Sequence, residues 1–206
     1  EPAQTKSFVD ALPFTLTEAQ RRASWDVLQD LAKPHPMNRL LQGDVGSGKT
    51  VVSAIAAESV VRAGKTIAYL APTELLCVQQ HEVFCGWFPH EQIALLTRSH
   101  KRINQDEIKK EDLTEQIRSG NVRFVIGTHA LLEEYLALPD LALVVIDEQH
   151  RFGVAQRRAL LQRAPSLERK SDVLSGDGTD HPVPHLLSMT ATPIPRSLAL
   201  TIYGDL

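Results

Sequence analysis

The stretch Leu40-Leu41-Gln42-Gly43-Asp44-Val45-Gly46-Ser47-Gly48-Lys49-Thr50 governs how the rest of the chain is read. An apolar run suited to a buried strand enters a glycine-rich turn. That turn opens into Val51-Val52-Ser53-Ala54-Ile55-Ala56-Ala57, which reads as a helix. The spacing from Gly43 to Thr50 fits G-x-x-x-x-G-K-[ST], a phosphate-binding loop. Glycines let backbone amides come close to a polyphosphate, and the helix start adds unpaired N–H groups and a positive dipole end. Lys49 supplies a compact charge for the outer phosphates, and the Thr50 hydroxyl suits Mg²⁺. A chance glycine-rich connection would look the same as a string, but it does not require a strand before and a helix after. The reading is a site for a nucleoside triphosphate, with Gly43, Asp44, Val45, Gly46, Ser47, Gly48, Lys49 and Thr50 around its phosphates.

Composition sets wider bounds. The 206 residues suit one domain, and 43% hydrophobic with 23% charged residues is ordinary for a globular chain. A net charge of −3 gives no general basic excess, so any nucleic-acid surface must be local. Cys77 and Cys85 fit neither a zinc site nor a redox pair, and read as free thiols. No stretch has the length to span a bilayer and no signal-peptide pattern opens the chain, so a cytoplasmic location is expected. The start at Glu1 suggests a piece cut from something longer.

Strand-like and helix-like segments alternate. Strands are expected at 39–42, 66–71, 93–96, 123–127, 143–147 and 185–190, with helices at 17–31, 51–62, 75–87 and 105–118 and a last one after Pro193. Near-continuous apolar strands separated by helices predict an α/β domain with a parallel sheet covered on both faces. Residues 1–36 read as an upstream helical segment with Thr17 as N-cap, and residues 169–184 as a polar, mobile loop. His181 and His185 lack further metal-ligand candidates and read as loop histidines.

The strand at 143–147 ends in Asp147-Glu148-Gln149-His150. Charge at the mouth of a buried strand is costly unless something there needs it. Beside a phosphate-binding loop, Asp147 would hold Mg²⁺ and Glu148 would position and deprotonate the attacking water. The plainer alternative is a cap for the helix that follows. Thr190-Ala191-Thr192-Pro193 ends the next strand, placing two hydroxyls where the sheet would bring them near His150.

Taken together these segments resemble the motifs of superfamily 2 helicases and translocases. Phe14-Thr15-Leu16-Thr17-Glu18-Ala19-Gln20 is similar to the segment that reads adenine, with Gln20 as the contact. Ala71-Pro72-Thr73-Glu74-Leu75 and Gly127-Thr128-His129-Ala130-Leu131 are similar to the two DNA-backbone motifs, which implies DNA contacts at Thr73, Glu74, Thr128 and His129. The resemblance makes Lys49, Asp147 and Glu148 catalytic, and Gln149, His150, Thr190 and Thr192 the coupling set between nucleotide and DNA. Within the superfamily, the runs 41–50, 147–154 and 189–196 resemble the RecG-type branched-DNA translocases. The transcription-repair coupling factors share much of this but usually carry Glu where Gln149 stands.

This resemblance implies a RecA-like P-loop NTPase domain over residues 1–206, with ATP and Mg²⁺ as cofactors and branched DNA as partner. A second RecA-like domain supplying arginine fingers, and a wedge domain, are expected to be missing from the chain. It further implies a monomer that remodels stalled forks and Holliday junctions in recombination and repair. The isolated chain is expected to have little activity. A coupling-factor-like motor lobe and a P-loop NTPase of another kind, such as a small-molecule kinase, stay as alternatives, as does a regulatory nucleotide-binding module.

Overall fold

The fold is taken from a computed structural model that describes residues 2–128, 138–148 and 183–191. Helices α1 (Pro2–Asp10) and α2 (Glu18–Leu31) precede strand β1 (Asn38–Gln42) and helix α3 (Lys49–Arg62). Next come β2 (Thr66–Leu70), α4 (Glu74–Trp87), β3 (Ile93–Leu96), β4 (Lys101–Ile103) and β5 (Asp106–Glu107). Helix α5 (Lys110–Arg118) and strands β6 (Phe124–Gly127), β7 (Leu141–Ile146) and β8 (His185–Thr190) complete the described elements.

The strands form one sheet in the order β1-β8-β7-β2-β6-β3-β4-β5. The first six in that order run parallel, while β4 and β5 add an antiparallel edge. Period-two alternation divides β2 between two cores. Ile67 and Tyr69 join residues of α1 to α4, including Phe8, Val27, Ile55 and Phe84, whereas Ala68 and Leu70 pack with Leu113 and Ile117 of α5. Residues Val51 to Ala57 of α3 are all buried, because that helix is sandwiched between the sheet and α1 and α2.

The expected parallel α/β architecture is observed, with three differences. Residues 105–109 are not helical. Asn104 takes a left-handed φ of 51°, its side chain accepts from the Ile93 amide at 2.9 Å and donates to the Glu91 carbonyl at 3.2 Å, and the chain reverses into the β4–β5 hairpin. That local hydrogen bonding outcompetes the polar helix pattern, which begins only at Lys110. The segment before Thr17 holds a further helix, α1, whose Phe8 stacks on Phe88 at 4.7 Å. His185 opens β8 instead of sitting in a loop, and its Nδ1 accepts the Met37 amide at 2.9 Å.

Among the described residues no helix is long and apolar enough to cross a membrane. Both cysteines are free, and burial pushes the Cys77 thiol up to about 12.

Candidate nucleotide site and its relatives

The β1–α3 connection builds an anion cradle from backbone alone. Gly46 and Gly48 have φ of 79° and 84°, a left-handed backbone that side chains disfavour. Gly48 is the N-cap of α3, and no side chain caps that helix end. The free amides of a 14-residue helix therefore remain available to an anion. Lys49 Nζ donates to the carbonyls of Gly43 at 2.8 Å and Asp44 at 3.0 Å, which folds its charge over the loop. A Cβ on Gly43 would meet Ser47 Oγ at 2.7 Å, so the loop closes tightly on itself.

Upstream, Thr17 and Gln20 form a reciprocal capping box at the start of α2. The Gln20 amide is then held at both ends: Oε1 accepts from Thr17 N at 2.9 Å, and Nε2 donates to the Ser47 carbonyl at 2.9 Å. In this structure Gln20 thus braces the phosphate loop.

The acidic tip lies across the same face. One strand, β8, separates β7 from β1, and Gly43 N donates to the Thr190 carbonyl at 3.2 Å. Asp147 follows β7 and is tied to β2 by its amide, which donates to the Leu70 carbonyl at 2.8 Å. Tyr69 Oη donates to Asp147 Oδ2 at 3.0 Å, and the Thr50 side chain lies beside the same hydroxyl. Burial raises the Asp147 carboxyl above its ordinary value and the Glu148 charge adds to this, while the Tyr69 hydrogen bond and the Lys49 charge oppose it. Lys49, Thr50, Asp147 and Glu148 therefore share one electrostatic environment. Glu148 sits at φ 50°, a region that Asn and Asp enter far more readily than Glu.

Thr73 caps α4, its Oγ1 accepting from Leu76 N at 3.3 Å. Glu74 Oε2 accepts from Thr97 Oγ1 at 3.2 Å and Ser99 N at 3.3 Å, and these bonds, Ser99 first, hold the carboxyl below its ordinary value. Glu74 is thereby engaged in fixing the β3–β4 turn. Thr128 lies directly beyond β6 and Thr73 beyond β2, so both stand at the carboxyl ends of neighbouring strands. His129, Gln149, His150 and Thr192 lie outside the described residues, as do the final helix and residues 169–182. Thr190 is fully buried at the end of β8. Tyr69 is the site residue that motif reading missed, its only signal being a phenol hydroxyl in the middle of a strand whose other polar residue, Thr66, stands at its start.

The donor set fits a magnesium-bound nucleotide. It combines an uncapped helix start, a lysine over the loop, a carboxylate held by a phenol, and a hydroxyl beside that phenol. Among the described residues no group of three or more His, Cys, Asp or Glu could hold a metal on its own. A magnesium ion held by one hydroxyl and one carboxylate would complete its shell with phosphate and water, as it ordinarily does.

Comparison with known proteins identifies the family. The sequence profile of the DEAD/DEAH box helicases matches residues 17–201. The chain belongs to that family. Nucleotide use follows from membership of this family of ATP-dependent helicases. The ATP-dependent DNA helicase RecG of Synechocystis is 46% identical over 203 residues, covering 98% of this chain and 22% of the relative. RecG of Pasteurella multocida is 46% identical over 202 residues, covering 97% and 26%. The chain thus spans about a quarter of the length of the curated relatives it matches. A solved structure of RecG bound to a three-way DNA junction superposes with a TM-score of 0.75 at 38% identity, over 100% of this chain and 25% of that one. The UvsW helicase of bacteriophage T4 matches with a TM-score of 0.64 at 12% identity, over 98% of this chain and 64% of that one, a likeness of fold alone. The DEAD/DEAH box domain is thus RecA-like, as its motifs imply.

Proposed function

We propose that this chain is the first motor lobe of a branched-DNA translocase of the RecG type, using ATP with Mg²⁺ to remodel forks and Holliday junctions. The observation that carries the reading is the approach of the uncapped α3 start and the Asp147 tip to one hydroxyl, which donates to Asp147. Identity to RecG proteins over nearly the whole chain supports the same substrate class.

Lys49 neutralises the outer phosphates, Thr50 and Asp147 hold the cation, and Glu148 orients and deprotonates the water. The bound magnesium supplies charge neutralisation for the transferred phosphoryl group. Gln20 reads adenine from its position against the loop. Thr73 and Thr128, with His129, grip the DNA backbone, contacts that position without reading sequence. Glu74 assists by holding the turn beside Thr73. Gln149, His150, Thr190 and Thr192 link nucleotide state to DNA.

The complete motor is a monomer in which a second RecA-like lobe supplies arginine fingers, worth about 10³–10⁵ in rate. A wedge domain splits the junction. The 206-residue chain alone accordingly binds nucleotide weakly and turns it over very slowly. ATPase assays with and without forked DNA, on this chain and on a polypeptide extended past Leu206, test the proposal. Strong fork stimulation of the longer polypeptide alone is the expected result. Turnover by the chain itself at the rate of the longer one, or indifference of both to DNA, overturns it.

A further inference from the structure

Tyr69 has a polar group where the fold needs only volume. Its ring lies in the core between sheet and helices, fully buried and edge-on to Phe84 at 5.1 Å, and its backbone pairs with Val145 of β7. A phenylalanine would fill this space equally well. The hydroxyl instead reaches two residues on different elements, Thr50 at the start of α3 and Asp147 after β7. Its own proton goes to Asp147 Oδ2, with the Thr50 side chain beside it.

We propose that Tyr69 is a positioning residue for the magnesium–nucleotide site, giving its proton to Asp147 beside Thr50. This rests on the reading of Thr50 and Asp147 as the metal-side residues. A carboxylate with one oxygen held by a donor presents its other oxygen in a defined orientation. The Tyr69 phenol does this for Asp147, and the packed ring fixes where that phenol stands. Partners of this kind, one step removed from a metal, typically change metal affinity 10–100-fold.

The experiment uses the 206-residue chain and a fluorescent N-methylanthraniloyl ADP, titrated in EDTA and across a range of MgCl₂. In Tyr69→Phe, affinity in EDTA should match wild type. The MgCl₂ concentration giving half of the magnesium-dependent gain should rise about tenfold. Thr50→Ala and Asp147→Asn should raise it as well. An unchanged magnesium requirement in Tyr69→Phe, beside a raised one in those two variants, defeats the role of Tyr69 alone. Equal losses in EDTA and in MgCl₂ make Tyr69 purely structural and defeat it too. Wild-type binding that ignores MgCl₂ removes the metal reading of Thr50 and Asp147, and the inference with it.

If Tyr69→Phe proves too unstable to titrate, the hydroxyl can be observed in place. The chain has three tyrosines, so Tyr135→Phe with Tyr203→Phe leaves Tyr69 as the single tyrosine. Its ¹³Cζ resonance should move when MgCl₂ is added to the ADP-bound protein, and a resonance that stays put overturns the proposal.

Discussion

Gln20 and Gly48 are in such close apposition that a Cβ on Gly48 would lie 2.2 Å from Gln20 Nε2. The amide cannot easily retreat, because it is hydrogen-bonded to Thr17 on one side and Ser47 on the other. The upstream segment and the phosphate loop are thus fitted to each other through a glycine.

Gly48→Ala should therefore fail for two reasons. Its φ of 84° strains any residue with a Cβ, and the added carbon breaks the Gln20–Ser47 bond. Strain of this kind is worth about 1–3 kcal/mol. Urea unfolding should show a loss on that scale, together with weaker nucleotide binding. Gln20→Ala, which removes the brace and leaves the backbone alone, should reduce binding with a smaller loss of stability.

Glu148→Gln should separate binding from turnover. The amide keeps the side chain's shape and removes the base, so nucleotide affinity should hold while turnover in the complete motor falls about 10²–10⁴-fold. Steady-state ATPase measurements beside equilibrium binding will check this. An equal fall in both would mean that Glu148 serves the loop and not the water.

Phe84 is the centre of the aromatic core. Its ring meets Phe124 at 4.9 Å, Tyr69 at 5.1 Å, Trp87 at 6.0 Å and Phe88 at 6.2 Å. Phe84→Ala should cost about 3–5 kcal/mol, the range for truncating a buried aromatic ring. A denaturant titration with unchanged slope and a lowered midpoint is the expected outcome.

One buried and one half-buried histidine, His81 and His185, predict a response to mild acid. His185 Nδ1 must stay unprotonated to accept the Met37 amide, and His81 Nε2 donates to the Ile93 carbonyl at 3.1 Å. Burial lowers both below the ordinary value of 6.5. The unfolded chain consequently binds protons first as pH falls. The stability due to these neutral rings is complete above pH 6.5 and declines below it, towards the depressed folded values. Unfolding midpoints between pH 7 and 5 should drop less steeply in His81→Gln/His185→Gln than in wild type.

Local signals were sufficient wherever chemistry is carried by neighbours in sequence. The phosphate loop announces itself because glycines, lysine and threonine must be contiguous to wrap one polyphosphate. The Thr17–Gln20 capping box is equally local, being closed within one helical turn. Strands Ile93–Leu96 and His185–Thr190 have the bounds expected from their apolar runs. The β4–β5 hairpin was not legible, since its polar residues are compatible with a helix and only the Asn104 bonds to Glu91 and Ile93 decide against one. Helix α1 was missed for a related reason, because it is held by the contact of Phe8 with Phe88.

Sequence alone thus determined the α/β class, the glycine-rich turn between β1 and α3, and the acidic end of β7. Each is written in a short run whose residues act on adjacent backbone. Only the tertiary structure decided the strand order that sets β8 between β1 and β7, the docking of Gln20 on the loop, and the meeting of Thr50, Tyr69 and Asp147. Those three residues are separated by 19 and 78 positions and share a contact only because α3, β2 and β7 pack around one buried hydroxyl. Burial makes that hydroxyl's hydrogen bonds count, and burial is a property of the assembled core.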